Sequence, residues 1–167
     1  MKKMLLLVCA LCVASIVSAQ NYMVVDSEKV FKSLDAYNNA LTTIDNLAEQ
    51  YQAEVDRKFE SVERLYNNYM QQRASLSEGY RQQREQEILD AEAKATEYQE
   101  EIFGTDGTLM KKRLELIQPI QKRVFDTIES FANRYGYDLV IDSSSNPTLL
   151  YYSERVDFTD RIIEALR

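Results

Sequence analysis

The chain has 167 residues, 45% of them hydrophobic, with 27 acidic side chains, 20 basic ones, no histidine and a formal net charge of −7. An acidic chain lacks the basic surface that nucleic-acid binding requires, so we expect no nucleic-acid partner. Because the commonest metal ligand and general base is missing, we expect no metal site, no cofactor and no enzymatic activity.

The first nineteen residues have the pattern of a signal peptide. Lys2 and Lys3 precede an apolar run, and the run ends in small residues at Ala19. We expect export and cleavage after Ala19, which lowers the net charge from −7 to −9 because two lysines are lost. The alternative is an uncleaved anchor, for which the apolar run is short. Both cysteines of the chain lie in this segment, so we expect no disulfide in the mature protein.

The segment after the signal peptide begins with a predicted strand. Tyr22–Asp26 is a short β-branched run, which is typical of a strand. A short helix is then expected to continue through Lys32. Asp26 or Ser27 can cap it, because these side chains accept hydrogen bonds from the first turn of a helix.

A long helical pattern fills the middle of the chain, from Asp35 to Arg134. Apolar and aromatic residues recur at steps of three and four, which is typical of a heptad seam packed against another helix. The first part of the seam is Tyr37, Leu41, Ile44, Ala48, Tyr51, Val55, Phe59, Val62, Tyr66 and Tyr69. The later parts are Tyr80, Ile88, Ala91, Ala95, Tyr98 and Ile102, followed by Leu114, Ile117, Ile120 or Gln121, Val124, Ile128, Phe131 and Tyr135.

Two interruptions could let this pattern turn back on itself: Gly79 and the segment Phe103–Thr108. A tip at the second leaves an outgoing arm more than twice as long as the returning arm, whereas a tip at the first gives arms of similar length. Because long unpaired amphipathic helices are unstable in water, the better match favours a tip near residues 75–79. Ser75 and Glu78 also match a capping box, which predicts a helix start. The alternative is one continuous helix that tolerates Gly79.

The tail of the chain changes character. Tyr137–Asp142 alternates between two faces and predicts a strand, and Ser143–Pro147 has turn chemistry. Thr148–Ser153 is expected to form another strand, so that the two make a hairpin. A terminal helix capped by Asp157 is expected to end at Leu166, with its apolar residues on one side.

Together, these elements predict an α+β fold that is mostly α. A small β body of three short strands is expected from residues 20–34 and 135–167, and an antiparallel helical hairpin arm from residues 35–134. A hinge is expected near residues 104–107, and the hinge residues are Gly104, Gly107 and Pro119, the last of which should kink its helix.

The body is too small to bury a large core, so we expect its strands to pair between subunits. The residues expected in these oligomerisation strands are Val24, Val25, Leu139, Ile141, Leu149, Leu150 and Tyr151.

Two groups of residues are candidates for contact with partners. At the predicted tip these are Arg73, Tyr80, Arg81 and Arg84, which could touch a membrane surface or a bound protein, the alternative being a solvated helix end. Along the arm they are Leu65, Tyr66 and Tyr98, since exposed tyrosine offers amphipathic contact to apolar partners. Leu65 and Tyr66 are adjacent, so only one of them can face the seam.

The chain resembles the Skp/OmpH family of periplasmic chaperones, in the version found in Bacteroidetes-type bacteria. The resemblance covers essentially the whole mature chain and depends on the order of five stretches: VVDSEKVFKS, LSEGYRQQREQEI, FGTDGTLMKKRLELIQPIQKRV, YGYDLVIDSS and LLYYSERVDFTDRIIEAL. It implies a homotrimer in which body strands form one barrel and three hairpins surround a cavity. It also implies ATP-independent holding of unfolded outer-membrane proteins in the periplasm.

One feature departs from the family. Well-known members are basic, whereas this chain is acidic, and Glu85–Asp106 carries eight acidic residues opposed only by Lys94. Lipopolysaccharide binding is therefore not carried over from the resemblance. The competing interpretation of the whole chain is a structural coiled-coil protein of the cell envelope without chaperone activity.

Overall fold

The structure is a computed structural model that describes residues 21–167, so the predicted signal peptide lies outside the described residues. The elements in chain order are β1 (Tyr22–Val25), α1 (Ser27–Lys32), α2 (Asp35–Gln72), a 3-10 turn (Arg73–Ser75), α3 (Glu78–Phe103), α4 (Thr108–Tyr135), β2 (Leu139–Asp142), a second 3-10 turn (Glu154–Val156) and α5 (Thr159–Ala165). This composition confirms the predicted α+β class with mostly helical content.

The chain forms two compact units. The body comprises residues 21–33 and 122–167, and the arm comprises residues 34–121. Helix α4 runs without interruption through Pro119 and contributes residues to both units.

Strand β1 lies in the middle of the body and pairs on both sides. On one side it runs parallel to β2, and the residue pairs extend from Tyr22 opposite Leu139 to Val25 opposite Asp142. On the other side the backbone N–H of Phe158 donates to the carbonyl of Val24 at 2.9 Å. Met23, Val24 and Val25 are consequently at most 1% exposed. Each such side chain contributes roughly 1.5–3 kcal/mol by leaving water.

The helices of the body close over this strand. Val30 of α1, Val124 of α4 and Ile162 of α5 are all fully buried. Aromatic rings extend the core, since Phe158 lies 5.9 Å from Phe131 and 4.9 Å from Tyr137 between ring centroids. The two ends of the described chain therefore share one small core.

The predicted hairpin at the tail is wrong. Thr148–Ser153 is not a strand, and β2 pairs in parallel with β1 instead of antiparallel with that segment. The segment starts with a local turn in which Thr148 donates its backbone N–H to Oδ1 of Asn146. Leu150 and Tyr151 are then 93% and 82% exposed, whereas Leu149 and Tyr152 are half-buried, so the segment lacks the alternation of a strand. The described chain thus has two strands, not three, because the third finds no partner within it.

Three helix caps were predicted from the sequence, and the structure shows the hydrogen bonds at each of these helix ends. Asp26 caps α1 as predicted, its Oδ1 accepting from the N–H of Lys29 at 2.9 Å. The predicted cap of α5, Asp157, lies one residue before the N-cap position, which is Phe158, although its carboxylate accepts from the N–H of Thr159 at 2.9 Å. The predicted capping box of Ser75 and Glu78 is wrong.

The reason lies in the turn that precedes α3. The Ser75 hydroxyl donates to the Gln72 carbonyl at 2.8 Å, so it is committed to the end of α2. The N-cap position of α3 is Ser77, which places Glu78 at the first helical position instead of the third.

Helices α2 and α3 pack antiparallel in the arm. The Tyr69 hydroxyl bonds to Glu85 near the reversal, and the Lys58 ammonium lies 4.6 Å from the centroid of the Tyr98 ring further along. Residue numbers therefore fall along one helix as they rise along the other. Still further from the reversal, α2 packs on α4, where a cluster is built on Ala40, Ile44 and Ile117.

The glycines of the arm differ in how much space surrounds them. A Cβ added at Gly79 would meet nothing within 4 Å, so this glycine is not required by packing. A Cβ at Gly107 would lie 2.5 Å from the Ile102 carbonyl oxygen, and one at Gly104 would collide with the Glu100 carbonyl. The turn between α3 and α4 therefore needs glycine for close backbone approach.

This contrast gives a prediction for two alanine substitutions. Gly107→Ala should lower the free energy of unfolding by more than about 1 kcal/mol, because the backbone must move to clear the Ile102 carbonyl. Gly79→Ala is the matched control and should raise it by up to about 1 kcal/mol through helix propensity. Urea unfolding followed by circular dichroism measures both, and equal effects would contradict the steric difference.

A second prediction concerns Asp142 at the end of β2. Its carboxylate accepts hydrogen bonds from the backbone N–H and hydroxyl of both Ser27 and Ser144. Partial burial raises the pKa of Asp142, but the hydrogen bonds from Ser27 and Ser144 outweigh it and lower the pKa from 3.8 to about 2. The ionised form thus stabilises the fold above pH ~4, and this contribution is lost as the pH falls towards 2.

Asp142→Asn should remove that part of the pH dependence. Unfolding free energies measured between pH 5 and pH 2 should fall less steeply for the variant than for the unchanged protein, while Asp138→Asn, at an exposed neighbouring position, should leave the slope unchanged. An equal slope in all three proteins would show that Asp142 does not carry the effect.

Candidate functional site

The arm is the candidate site because it carries apolar side chains that its own packing does not use. Leu65 is half-buried and lines a cleft between α2 and α3 with Tyr69 and Ile88. Tyr66, the next residue, is 49% exposed. Of this adjacent pair, Leu65 therefore faces the seam and Tyr66 faces outward.

Tyr98 is placed differently from Tyr66. It is half-buried, and the ammonium of Lys58 lies over its ring. Burial, followed by the nearby Glu54 carboxylate, raises the pKa of Tyr98 above 10.0. Since the ring already has partners within the arm, only part of it is open to another protein.

Outside the seam, the arm exposes seven large apolar or aromatic side chains. They are Tyr66, Met70, Tyr80, Leu89, Phe103, Met110 and Leu114. The heptad pattern placed Tyr66, Tyr80 and Leu114 in the seam, which is wrong for these three, and it included none of Met70, Leu89 and Met110. Helical periodicity could have identified two of these exposed residues, because Met110 and Leu114 are four residues apart and therefore share one side of α4.

The tip of the arm is held by a small polar network. Tyr69 is 6% exposed, and its hydroxyl donates to Glu85 across the two helices. This hydrogen bond, followed by burial, raises the pKa of Tyr69 above 10.0. The Nε of Arg81 donates to the Arg73 carbonyl at 3.0 Å, which closes the turn between α2 and α3.

Of the four predicted tip residues, Arg73, Tyr80 and Arg84 are exposed and Arg81 is half-buried. Arg84 forms an ion pair with Glu87 at 2.7 Å, and Arg81 lies 3.7 Å from Glu78. Tyr80 is exposed beside them. A contact of this tip with a membrane or another protein stays a prediction.

The residues predicted to join subunits occupy two environments. The side chains of Val24 and Val25 are buried in the body's own core, whereas those of Leu139, Leu150 and Tyr151 are exposed. Ile141 and Leu149 are half-buried. Their role between subunits stays a prediction, and the exposed members are the ones free to serve it.

The described residues 21–167 contain no group of three or more histidine, cysteine, aspartate or glutamate side chains placed to hold a metal ion. Within the same range, none of the helices has the length and apolar character needed to cross a membrane.

A family model described as "Outer membrane protein (OmpH-like)" matches residues 21–166. The chain belongs to this OmpH-like family. A comparison with curated proteins found no match. The family assignment agrees with the resemblance inferred from the five sequence stretches.

Membership of this family indicates the compartment and the general class of function of such proteins. The family is one of periplasmic chaperones associated with outer-membrane proteins. The seven exposed arm side chains are apolar or aromatic, and polar or charged residues separate them along the sequence.

The tip network gives a further prediction. Tyr69→Phe removes the hydroxyl that bonds to Glu85 while keeping the ring, so we expect amides of residues 73–77 to exchange with solvent several-fold faster. Tyr66→Phe is the matched control, because that hydroxyl lies on the exposed side of the same helix. Hydrogen-exchange mass spectrometry compares the two variants, and identical exchange at the tip would contradict the proposed role of the Tyr69 hydroxyl.

Proposed function

We propose that this OmpH-like protein is an ATP-independent holdase of the periplasm. It binds unfolded outer-membrane proteins through the arms and prevents their aggregation. The observation that carries the proposal is the set of exposed apolar side chains on α2, α3 and α4, which the arm's own seam leaves open. Family membership supports the same class of partner.

Weak and numerous contacts suit this task. An unfolded β-barrel protein exposes segments of alternating apolar and polar residues, so each segment offers only a few apolar side chains. The arm's exposed residues are separated by charged ones instead of forming one continuous patch, as between Met110 and Leu114. Each contact contributes little, and the held protein can leave without nucleotide hydrolysis.

The acidic charge of the chain has a separate consequence. The net charge of −7 opposes non-specific aggregation and favours solubility even though apolar side chains are exposed. Along α3, carboxylates outnumber basic side chains. Binding should therefore depend on apolar contact more than on attraction between opposite charges, and it should persist in salt.

We further propose that the body assembles the active form as a homotrimer. Leu150 and Tyr151 are the most exposed apolar residues of the body, and β2 is paired by β1 along one edge. An apolar segment next to a strand edge is a ready partner for the same elements of another copy. Assembly would place several arms around one bound protein.

A structural coiled-coil role predicts a different outcome in one assay. A urea-unfolded outer-membrane β-barrel protein is diluted into buffer with and without this protein, and light scattering records aggregation. The holdase suppresses scattering without ATP, whereas a spacer of the envelope leaves it unchanged.

The arm residues are tested by a triple substitution. Tyr66→Ser, Met70→Gln and Leu114→Gln together should weaken binding of the unfolded protein roughly tenfold, or ~1.4 kcal/mol, because they remove exposed apolar contacts. The matched control replaces the exposed polar residues Asn67, Gln71 and Gln118 by serine and should bind as the unchanged protein does. Equal binding by both triple variants would refute the assignment of this surface.

A further inference from the structure

A groove in the body, outside the arm, has chemistry that the holdase proposal does not use. It lies between the last part of α4 and α5 and encloses about 570 Å³. This volume is within the range of small-ligand pockets and exceeds what a single inorganic ion occupies. The lining combines two arginines and a glutamate with aromatic rings: Arg134, Arg161, Glu164, Phe131 and Tyr135.

The two arginines make the groove locally basic. Neither Arg134 nor Arg161 forms an ion pair with any carboxylate of the described residues, and Glu164 is the one acidic side chain that lines the groove. With two arginines and one glutamate, the lining carries a net positive charge within a chain whose net charge is −7. The groove therefore favours a ligand with one negative charge.

The aromatic side chains give the groove an apolar wall. The rings of Phe131 and Tyr135 lie 4.5 Å apart between centroids, and Tyr135 is exposed. The guanidinium of Arg161 lies 5.1 Å from the centroid of the Phe158 ring, which holds this charge over the core by a cation–π contact. An inorganic anion would leave the exposed ring uncovered, so the complement also includes an apolar group.

We propose that this groove binds the C-terminal residue of a polypeptide, with its carboxylate on Arg134 and Arg161 and an aromatic or aliphatic side chain against Phe131 and Tyr135. A guanidinium binds a carboxylate through paired hydrogen bonds, and the C-terminus is where a polypeptide carries this charge directly beside a side chain. Glu164 on the rim disfavours ligands with several negative charges. The inference does not depend on the arms holding unfolded proteins.

The test uses fluorescent peptides of one sequence that end in phenylalanine, with either a free carboxylate or an amide. Fluorescence anisotropy with the purified full protein should show at least tenfold tighter binding of the free acid, because the amide loses the charge that the arginines bind. The same peptide with a terminal serine should bind several-fold more weakly. N-acetylphenylalanine distinguishes a free small carboxylate from a peptide end and should bind more weakly than the peptide.

Substitutions connect this preference to the groove. Arg134→Ala with Arg161→Ala should abolish the difference between acid and amide, whereas Arg155→Ala, an exposed arginine outside the groove, should keep it. Circular dichroism of the double variant checks that it is folded, and Arg134→Lys provides a milder second variant that should reduce the preference.

Three results would overturn the inference. The first is equal binding of acid and amide, and the second is a preference that survives both the double and the lysine substitutions. The third is absence of peptide binding together with a changed oligomer mass for the double variant, which would make the groove a contact between copies of this chain.

Discussion

The burial of β1 between two distant parts of the chain is the interaction on which the body depends. Its four residues pair with β2 on one side, and on the other side Val24 pairs with the residues just before α5, Asp157 and Phe158. A two-stranded sheet is marginal in water by itself, so the helices that cover Met23, Val24 and Val25 are what make the strand stable. The body is therefore built from both ends of the described chain.

To form the body, the chain must close a long loop, which costs conformational entropy. The helical arm lowers this entropic cost. Loop-closure entropy grows slowly with length, and most of the intervening residues form helices from local contacts. The arm's own seam is sparse. Only Ala95 and Ile102 are buried apolar residues in α3, while α2 buries Ala40, Ile44, Val55 and Tyr69. A hairpin with so few buried side chains lies at the low end of local stability, which suits adaptable contact with unfolded chains.

The sequence predicted those features that depend on local chemistry. The Asp26 cap, the first strand and the mostly helical class follow from residue type and spacing over a few positions. The false capping box failed because the Ser75 hydroxyl had a nearer acceptor in the preceding turn. The predicted strand at Thr148–Ser153 failed because strand propensity is realised only by pairing, and this segment does not pair with the open edge of β2 within the described chain.

The candidate sites were harder to predict for a different physical reason. Steps of three and four residues leave the phase of a helix ambiguous by one position, so Leu114 was assigned to the seam although it is exposed. The groove of the body could not be found at all from the sequence, because Arg134 and Arg161 meet only through the packing of α4 and α5. A residue pattern along the chain identifies the face of one helix. A site formed by two helices can be found only when the packing of those helices is known.

In the proposed function, the arm contacts unfolded proteins and the body contacts other copies of the chain. Site-specific photo-cross-linking tests it most directly, with a photoreactive residue in place of Tyr66, Leu114 or Leu150 in the presence of an unfolded outer-membrane protein. The account predicts cross-links to the unfolded protein from the two arm positions and to a second copy from position 150. Cross-links to the unfolded protein mainly from position 150, or to second copies mainly from the arm, would contradict it.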